Sequence, residues 1–368
     1  MTKAGLRAMD AVTEFWQEEA GENLAEWIVA GASKRGWTTW LVAACDPQRV
    51  VAFVPLVFDE LNFVKNIHHH WRAYGGWSVP PTARDTTAPG SCCAFCLSAR
   101  IVAHSSACFC ALFCMWRQLY CRSFALTDYI QNNITTSFDS EEFAYMISLI
   151  DPIVYADILT QPKLIVSTGG DEFLLPDNHD YYGSELQGET HFHSFPNTEH
   201  SLITNVPLVL DTVTGFIVGV QTNTPRPVYT WTKQPNGALH IEVDAATPPS
   251  SVTVWSTTTV AGAVRRDFRL VALTNTTGGM KPWVQWVLWT QSPELAPTSS
   301  NSTLIVYDFL GEAPASGAAG DWSGFVIEMI WPGALNNTHF RVSTAVSILP
   351  QTFPYPDCYA ESCAGPLV

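Results

Sequence analysis

The sequence predicts an α/β fold with a parallel sheet, followed by an all-β sandwich. Nearly continuous apolar runs, such as Arg49–Phe58 and Pro162–Gly170, are typical of strands buried in a parallel sheet. Segments of helical character separate these runs, and the alternation indicates βαβ units. After a turn-rich linker at Thr222–Pro227, short β-rich runs alternate with Pro, Asn and Gly turns, a pattern that predicts the sandwich.

Local patterns predict each element of the N-terminal α/β region in turn. Residues 1–21 place Leu6, Met9 and Val12 at helical spacing, so an amphipathic helix is expected there. The remaining predictions are a strand at Trp27–Ala30, a helix to about Ala44, a strand at Arg49–Phe58, helical aromatic-rich segments at 59–78 and 123–160, strands at Pro162–Gly170 and Thr190–Pro196, and a helix at Val206–Gln221.

The charge balance excludes two classes of partner. The chain has 368 residues, with 19 Lys plus Arg against 34 Asp plus Glu and a net charge of −15. Nucleic acids and anionic membranes bind basic faces, so neither is an expected partner. The N-terminal segment carries charges between its apolar residues and does not read as a signal peptide.

Cysteine is concentrated in one stretch without a clean period, Val79–Arg122, which holds seven of the 10 Cys. Cys93 and Cys96 have C-x-x-C spacing, but no second pair or His completes a tetrahedral set, so no metal is expected. Charged residues interrupt the apolar run, so no membrane span is expected either. Cys358 and Cys363 can close a small terminal loop if the protein is secreted.

The histidines His68–His70 are a second candidate metal site. Three consecutive residues on a helix do not converge on one face, because only positions three or four apart do so. We therefore predict a solvated or cap-lining stretch instead of a metal site.

A serine lies where the first predicted strand meets the following helix, in Gly31-Ala32-Ser33-Lys34-Arg35-Gly36. A serine at a sharp strand-to-helix turn between small residues is the arrangement of a nucleophile elbow. The helix N-terminus helps to stabilise an oxyanion, for which the Lys34 backbone N–H would be one donor. Because the spacing is G-x-S-x-x-G rather than G-x-S-x-G, a plain turn with a small polar residue is the alternative.

Candidate partners for Ser33 follow the later strands in the order serine, acid, histidine. Asp171 and Glu172 come directly after the strand at Pro162–Gly170, and His200 follows the strand at Thr190–Pro196. Because α/β sheets keep their sites at the carboxyl ends of parallel strands, we expect these side chains to meet. Asp171 is the preferred acid, and Glu172 is its rival. Capping and structural roles are the alternatives for each.

At these residues the sequence resembles the PhoPQ-activated pathogenicity-related proteins, which include the autocrine proliferation repressor protein A type. The resemblance implies an α/β-hydrolase-like fold and a secreted or exported protein, and it supplies no defined substrate. The elbow also resembles that of glucuronoyl esterases, which is a hint toward carbohydrate esters. The matching segments are "GASKRGWTTWLVAACDPQRVVAFVPLVFDELN", "YGGWS", "FALTDYIQNNIT", "DPIVYADILTQPKLIVSTGGDEFLLPD" and "PNTEHSL".

The resemblance and the patterns together predict three regions. Residues 1–222 form a partial α/β-hydrolase-like domain, interrupted by the Cys-rich insert 79–122. Residues 223–350 form an immunoglobulin- or fibronectin-like β-sandwich, to which we assign no chemistry of its own. Residues 351–368 form a C-terminal tail.

Two departures from the family pattern affect these expectations. The family runs "YGGWS" almost directly into "FALTDY", whereas Val79–Arg122 intervenes here; this insert is consistent with a retained intron read in frame. The sequence begins one helix before the nucleophile strand, whereas α/β hydrolases have earlier strands and take a second oxyanion donor from a loop among them. We therefore expect a truncated chain with half an oxyanion hole and weak catalysis.

The leading functional hypothesis is a serine hydrolase that cleaves an ester or peptide-like bond, without metal or organic cofactor. Its substrate would be a small molecule or a peptide or carbohydrate ester. The alternative is a secreted signalling or binding protein that uses its surface, with a cell-surface receptor as partner. A secreted or exported parent protein is also favoured by four N-x-S/T sequons, at Asn133, Asn275, Asn301 and Asn336.

Overall fold

The computed structural model describes residues 1–77, 95–98, 130, 132–276, 279–314, 321–366 and 368. The elements of the α/β region are α1 (Thr2–Ala20), β1 (Trp27–Ala32), α2 (Lys34–Cys45), β2 (Val50–Leu56), α3 (Phe63–Tyr74), β3 (Phe95–Ser98), α4 (Glu141–Ile150), β4 (Lys163–Thr168), β5 (Thr190–Phe195) and α5 (Val206–Gln221).

One sheet, in the order β3-β1-β2-β4-β5, organises this region. Strands β1, β2, β4 and β5 are parallel, and β3 runs antiparallel to β1. The parallel strands therefore end on the same edge, which places the residues that follow β1, β2, β4 and β5 side by side. The sheet confirms the predicted α/β-hydrolase-like class.

Apolar side chains cover both faces of this sheet, because successive residues of a strand point to opposite sides. On one face Val29 and Ile165 pack with residues of α1 and α2. On the other face Ile28 and Val166 pack with α5, whose Phe216 is fully buried. The sheet is thus buried on both sides, as its continuous apolar runs predict.

Antiparallel sheets follow the parallel sheet. Their strands are β6 (Tyr229–Lys233), β7 (Leu239–Asp244), β8 (Ser251–Thr258), β9 (Val271–Thr276), β10 (Gly279–Val284), β11 (Thr290–Glu294), β12 (Ser299–Ser300), β13 (Leu304–Phe309), β14 (Ser323–Pro332), β15 (His339–Ser343) and β16 (Ser347–Leu349). They form the orders β11-β8-β14-β15, with β16 beside β14, and β12-β13-β7-β6, together with a β9–β10 pair.

The antiparallel sheets and the parallel sheet share one hydrophobic core. Ile241 of β7 and Ile327 of β14 belong to the same buried cluster as Val166 of the parallel sheet. Strand β15 packs on β5, where the Ser194 N–H donates to Ser343 Oγ at 3.0 Å. The β-rich region is therefore packed directly onto the edge of the α/β sheet.

The C-terminal segment returns to the α/β region. The Trp77 N–H donates to Pro366 O at 2.9 Å, and the Val368 N–H donates to Trp77 O at 2.9 Å. Cys358 and Cys363 form the disulfide that their spacing allows, and both are buried in a cluster that includes Trp77. The disulfide closes the terminal loop against this cluster.

Some local predictions need correction. The segment 59–78 contains one helix of 12 residues, α3, because Asn62 and Gly75 adopt left-handed conformations at its two ends. The solvated interpretation of His68–His70 was wrong for two of the three, since His69 and His70 are 0% and 4% exposed. They lie on the buried face of α3 with Asn66 and Ala73, at three- and four-residue spacing.

Other predictions lie partly beyond what the structure describes. Within 79–122 it describes only the backbone strand β3, so the retained-intron hypothesis lies outside the described residues. Within 123–160, helix α4 runs from Glu141 to Ile150, after the Ser140 side chain accepts the Phe143 N–H and caps its first turn. Beyond α4 there is a short 3₁₀ turn at Pro152–Tyr155.

One segment of the described chain, Ile203–Gln221, is long and apolar enough by length and composition to cross a membrane. Most of it is α5, which packs Val209 and Phe216 into the shared core. Core helices of this kind satisfy the same length and composition test.

The contact between β5 and β15 generates a stability prediction. Ser343→Ala leaves the buried Ser194 N–H without its acceptor, which should lower the free energy of unfolding by about 1–3 kcal/mol. Urea denaturation measures this, with Ser300→Ala in the exposed strand β12 as the control. Equal stabilities for the two variants would contradict the prediction.

Candidate active site

Ser33 stands between β1 and α2 with a positive φ, at φ 54° and ψ −127°. Its N–H donates to Leu56 O of β2 at 2.8 Å, which fixes the turn to the neighbouring strand. A positive φ is unfavourable for a serine, so the surrounding contacts must hold the turn in place. This is the sharp strand-to-helix turn that the sequence predicts.

Steric crowding explains why the motif has glycine at positions 31 and 36. A Cβ on Gly31 would lie 2.6 Å from Arg35 O in the first turn of α2. A Cβ on Gly36 would lie 2.7 Å from Phe58 Cβ and 2.9 Å from Leu56 O. Neither position has room for a side chain, because α2 crosses closely over the ends of β1 and β2.

Ser33, His200 and Asp171 form a continuous chain of hydrogen bonds. His200 Nε2 lies 2.8 Å from Ser33 Oγ, and His200 Nδ1 lies 2.8 Å and 3.0 Å from the two carboxylate oxygens of Asp171. A carboxylate only accepts, so Nδ1 carries the hydrogen and Nε2 accepts from the serine hydroxyl. The structure thus brings together three side chains that follow strand ends far apart in the chain.

The Asp171 carboxylate is itself held by its own loop. Its Oδ1 accepts the backbone N–H groups of Phe173 at 2.8 Å and Leu174 at 3.0 Å. The Thr168 hydroxyl donates to Oδ2 at 3.3 Å. These donors fix the direction of the carboxylate toward His200.

Glu172, the rival acid, takes another position. Its Oε2 accepts the backbone N–H of His200 at 2.9 Å and makes no described contact with the imidazole. Burial, with the nearby Asp171 charge, raises the pKa of Glu172 to about 7. Glu172 therefore holds the backbone of the histidine loop, and Asp171 holds its side chain.

Two opposing effects act on the pKa of the His200 imidazole. Burial alone would lower its pKa, but the Asp171 carboxylate and its hydrogen bond raise that pKa above the ordinary value of 6.5. The ring of Phe173 packs edge-on against it, with ring centres 4.5 Å apart. This environment makes His200 a stronger base than a free imidazole.

Lys34 is the first residue of α2, and its side chain is exposed. Its backbone N–H precedes the first intrahelical acceptor, so it has no partner within the helix. It lies directly after Ser33, at the positive end of the helix dipole. The position suits the oxyanion donor predicted from the sequence.

Sequence reasoning missed a further carboxyl group at this edge, Asp59. It follows β2, the strand between those of Ser33 and Asp171, and it is 0% exposed. Neither of its oxygens has a hydrogen-bond partner of normal geometry among the described residues. Burial, with repulsion from Asp171, raises the pKa of Asp59 to about 7, and the neighbouring Ser167 hydroxyl offsets this only in part. The signal was present, because Asp59 and Glu60 directly follow the buried run at Arg49–Phe58.

Two other polar sites do not include Ser33 or His200. Among the described residues, His68, Asp357 and Cys358 lie close enough to suggest a metal site, but the Cys358 sulfur is bonded to Cys363. The His68 ring instead bridges Asp139 and Asp357 at 2.9 Å and 2.7 Å. A separate cavity of about 250 Å³ is lined by Asp177, Asp180, Tyr181, Lys233, Gln234, Arg266, Ser347, Ile348, Gln351 and Phe353.

Comparison with known proteins identifies relatives of the chain. The model of the family described as PhoPQ-activated pathogenicity-related protein matches residues 1–83 and 113–269. Autocrine proliferation repressor protein A of Dictyostelium discoideum is 30% identical over 378 residues, covering 99% of this chain and 64% of that protein. The chain thus spans slightly less than two thirds of this relative's length.

Solved structures give weaker similarities. Acetyl xylan esterase 1 of Thermoanaerobacterium is 13% identical over 58% of this chain and 51% of its own, with a TM-score of 0.33. Est1E of Butyrivibrio proteoclasticus is 15% identical over 52% and 60% of the two chains, with a TM-score of 0.28. A proline iminopeptidase of Mycobacterium smegmatis is 13% identical over 55% and 68%, also with a TM-score of 0.28.

Asp59 generates a pH-dependent stability prediction. In the unfolded chain its carboxyl loses its proton near pH 3.8, whereas the folded protein keeps it to about pH 7. Between these values the unfolded state binds fewer protons, so this group lowers stability as pH rises and its effect is constant above pH 7. Asp59→Asn does not titrate, so its melting temperature relative to wild type should rise between pH 4.5 and pH 8.

Thermal unfolding at both pH values checks this prediction, with Asp157→Asn on the exposed surface as the control. The melting temperature of Asp59→Asn minus that of Asp157→Asn should be higher at pH 8 than at pH 4.5. A difference that does not change with pH would show that Asp59 titrates normally in the folded protein.

Proposed function

We propose a serine hydrolase function for this chain, which belongs to the PhoPQ-activated pathogenicity-related protein family. The observation that carries the proposal is the hydrogen-bonded chain from Ser33 Oγ through His200 to Asp171. The bond cleaved would be an ester or peptide-like bond, in a small molecule or in a peptide or carbohydrate ester.

In the proposed mechanism Ser33 Oγ attacks the carbonyl carbon while His200 Nε2 takes its proton. Asp171 keeps the imidazole in the correct tautomer and stabilises the imidazolium that forms. The Lys34 N–H donates to the oxyanion. His200 then gives its proton to the leaving group, and a water molecule releases the acyl group from Ser33 by the same steps in reverse.

A non-catalytic alternative has its own support. The Dictyostelium relative is named as an autocrine proliferation repressor, which is a regulatory description. The disulfide at Cys358–Cys363 and the sequons favour secretion or export, where such a protein would meet a cell-surface receptor. In this alternative the α/β-hydrolase-like fold serves as a binding scaffold.

The first experiment uses a fluorophosphonate probe, which reacts with activated serines. We expect the probe to label Ser33 in the wild-type chain, as identified by peptide mass spectrometry. Ser33→Ala should abolish labelling, and Ser300→Ala should leave it unchanged. Absence of label on folded wild-type protein would overturn the hydrolase proposal. If labelling is found, persistence of a biological effect in Ser33→Ala would assign that effect to the surface.

The pH dependence of labelling tests the role of His200. The base must be neutral, so the labelling rate should rise with pH and reach its half-maximum above pH 6.5, where the raised pKa of His200 lies. Asp171→Asn removes the carboxylate that raises this pKa, so the half-maximum should move to lower pH. The rate at high pH should fall by about 10³–10⁴, the loss expected when the tautomer is no longer fixed. An unchanged profile in Asp171→Asn would contradict the assigned role.

A further inference from the structure

The loop that carries Asp171 begins with two glycines, and residues of the β-rich region lie directly on both. A Cβ on Gly169 would lie 2.8 Å from the Trp289 indole nitrogen, which donates to Gly169 O at 3.3 Å. A Cβ on Gly170 would lie 2.4 Å from the Leu270 side chain, and the Leu270 N–H donates to Gly170 O at 3.0 Å. The glycines therefore allow the β-rich region to reach the backbone of the acid loop.

The loop that carries His200 is bound to the same tryptophan. The Asn197 amide donates to Trp289 O at 2.8 Å, and the Trp289 N–H donates to Asn197 Oδ1 at 2.8 Å. Asn197 has a φ of 53°, a conformation that asparagine tolerates better than most residues. Trp289 thus contacts one loop with its indole and the other with its backbone.

Trp289 is itself held in place by the packing of the β-rich region. It is 3% exposed and packs in a buried cluster with Phe268 and Val326, separate from the main core. The two loops are also joined directly, because the Gly170 N–H donates to Thr198 O at 3.1 Å. The Trp289 indole therefore contacts a pair of loops that are already hydrogen-bonded to each other.

We propose that Trp289, with Asn197, is a positioning residue that holds the Asp171 and His200 loops in register for the hydrolase reaction. The inference rests on the proposed function and extends it to the β-rich region, to which the sequence assigned no chemistry. The physical reason is that two loops from separate strands carry the two ends of one hydrogen bond of 2.8 Å. A relative displacement of about 1 Å at such a contact lowers catalysis by about 100-fold.

Two variants remove the contacts with little other change. Asn197→Gly deletes both hydrogen bonds to the Trp289 backbone and keeps the positive φ accessible. Trp289→Phe keeps an aromatic ring and deletes the indole N–H donor to Gly169. Trp286→Phe is the matched control, since Trp286 lies in the same segment and is 74% exposed.

The test measures fluorophosphonate labelling of Ser33 in the full chain as a function of probe concentration and pH. In Asn197→Gly and Trp289→Phe the maximal rate of labelling should fall about 10- to 100-fold, with little change in the probe concentration for half-maximal rate. The pH of half-maximal rate should move down, because His200 is then less firmly held by Asp171. Trp286→Phe should match wild type in all three quantities.

Hydrogen exchange separates the failure of this inference from the failure of the proposed function. Peptides covering 168–174 and 196–202 should exchange faster in both variants than in wild type and Trp286→Phe, while melting temperatures stay within a few degrees. Wild-type labelling rates and unchanged exchange in the variants would overturn the inference while the hydrolase proposal holds. If wild type is not labelled, the hydrolase proposal fails and the positioning of catalysis fails with it, whatever the exchange shows.

Discussion

The hydrogen bond of 2.8 Å between His200 Nδ1 and the Asp171 carboxylate is the constraint on which the architecture of the site depends. It joins loops that follow two neighbouring parallel strands, β4 and β5, and it sets the direction of the imidazole toward Ser33. Each partner of this bond is held by further contacts. Backbone N–H groups hold the carboxylate, and Glu172 holds the backbone of the histidine. A side chain fixed at several points has little conformational freedom left to lose, which is the physical meaning of preorganisation.

The same edge of the sheet concentrates carboxyl groups where little solvent reaches. Asp59, Asp171 and Glu172 are all buried, at 0%, 3% and 8% exposure. Asp171 differs from the other two in its donors: it accepts from two backbone N–H groups, a hydroxyl and the imidazole. Asp59 and Glu172 instead keep raised pKa values near 7, because burial disfavours their charged forms. Of the three carboxyl groups, Asp171 is the one whose hydrogen bonds face His200.

Much of this could be predicted from the sequence, because the signals are local. Apolar runs identify buried strands, and the small residues around Ser33 identify a tight turn, so the ends of β1, β4 and β5 could be selected before any contact was known. The choice between Asp171 and Glu172 could not be made, since adjacent carboxylates have the same local pattern and differ only in what faces them. The burial of His69 could not be predicted, because which face of a helix is buried depends on the segments that pack against it. The His69 ring contacts Asp177 and Arg266, which come from distant segments of the chain. Trp289 lies 118 positions beyond Asp171, so no local pattern connects them.

The positive φ of Ser33 and the unpaired carboxyl of Asp59 both lower stability without adding a packing contact. Both lie at the carboxyl edge of the parallel sheet, where the loops of Ser33, Asp171 and His200 converge. A binding scaffold that used only its outer surface would have no physical use for these costs, whereas a nucleophile on a strained turn beside a tuned base requires the first of them. A surface function is nevertheless compatible with the same geometry, because one fold can serve either as an enzyme or as a binding scaffold. The strained turn is therefore what the proposed hydrolase function would require of Ser33, and the receptor-binding alternative leaves it without an explanation.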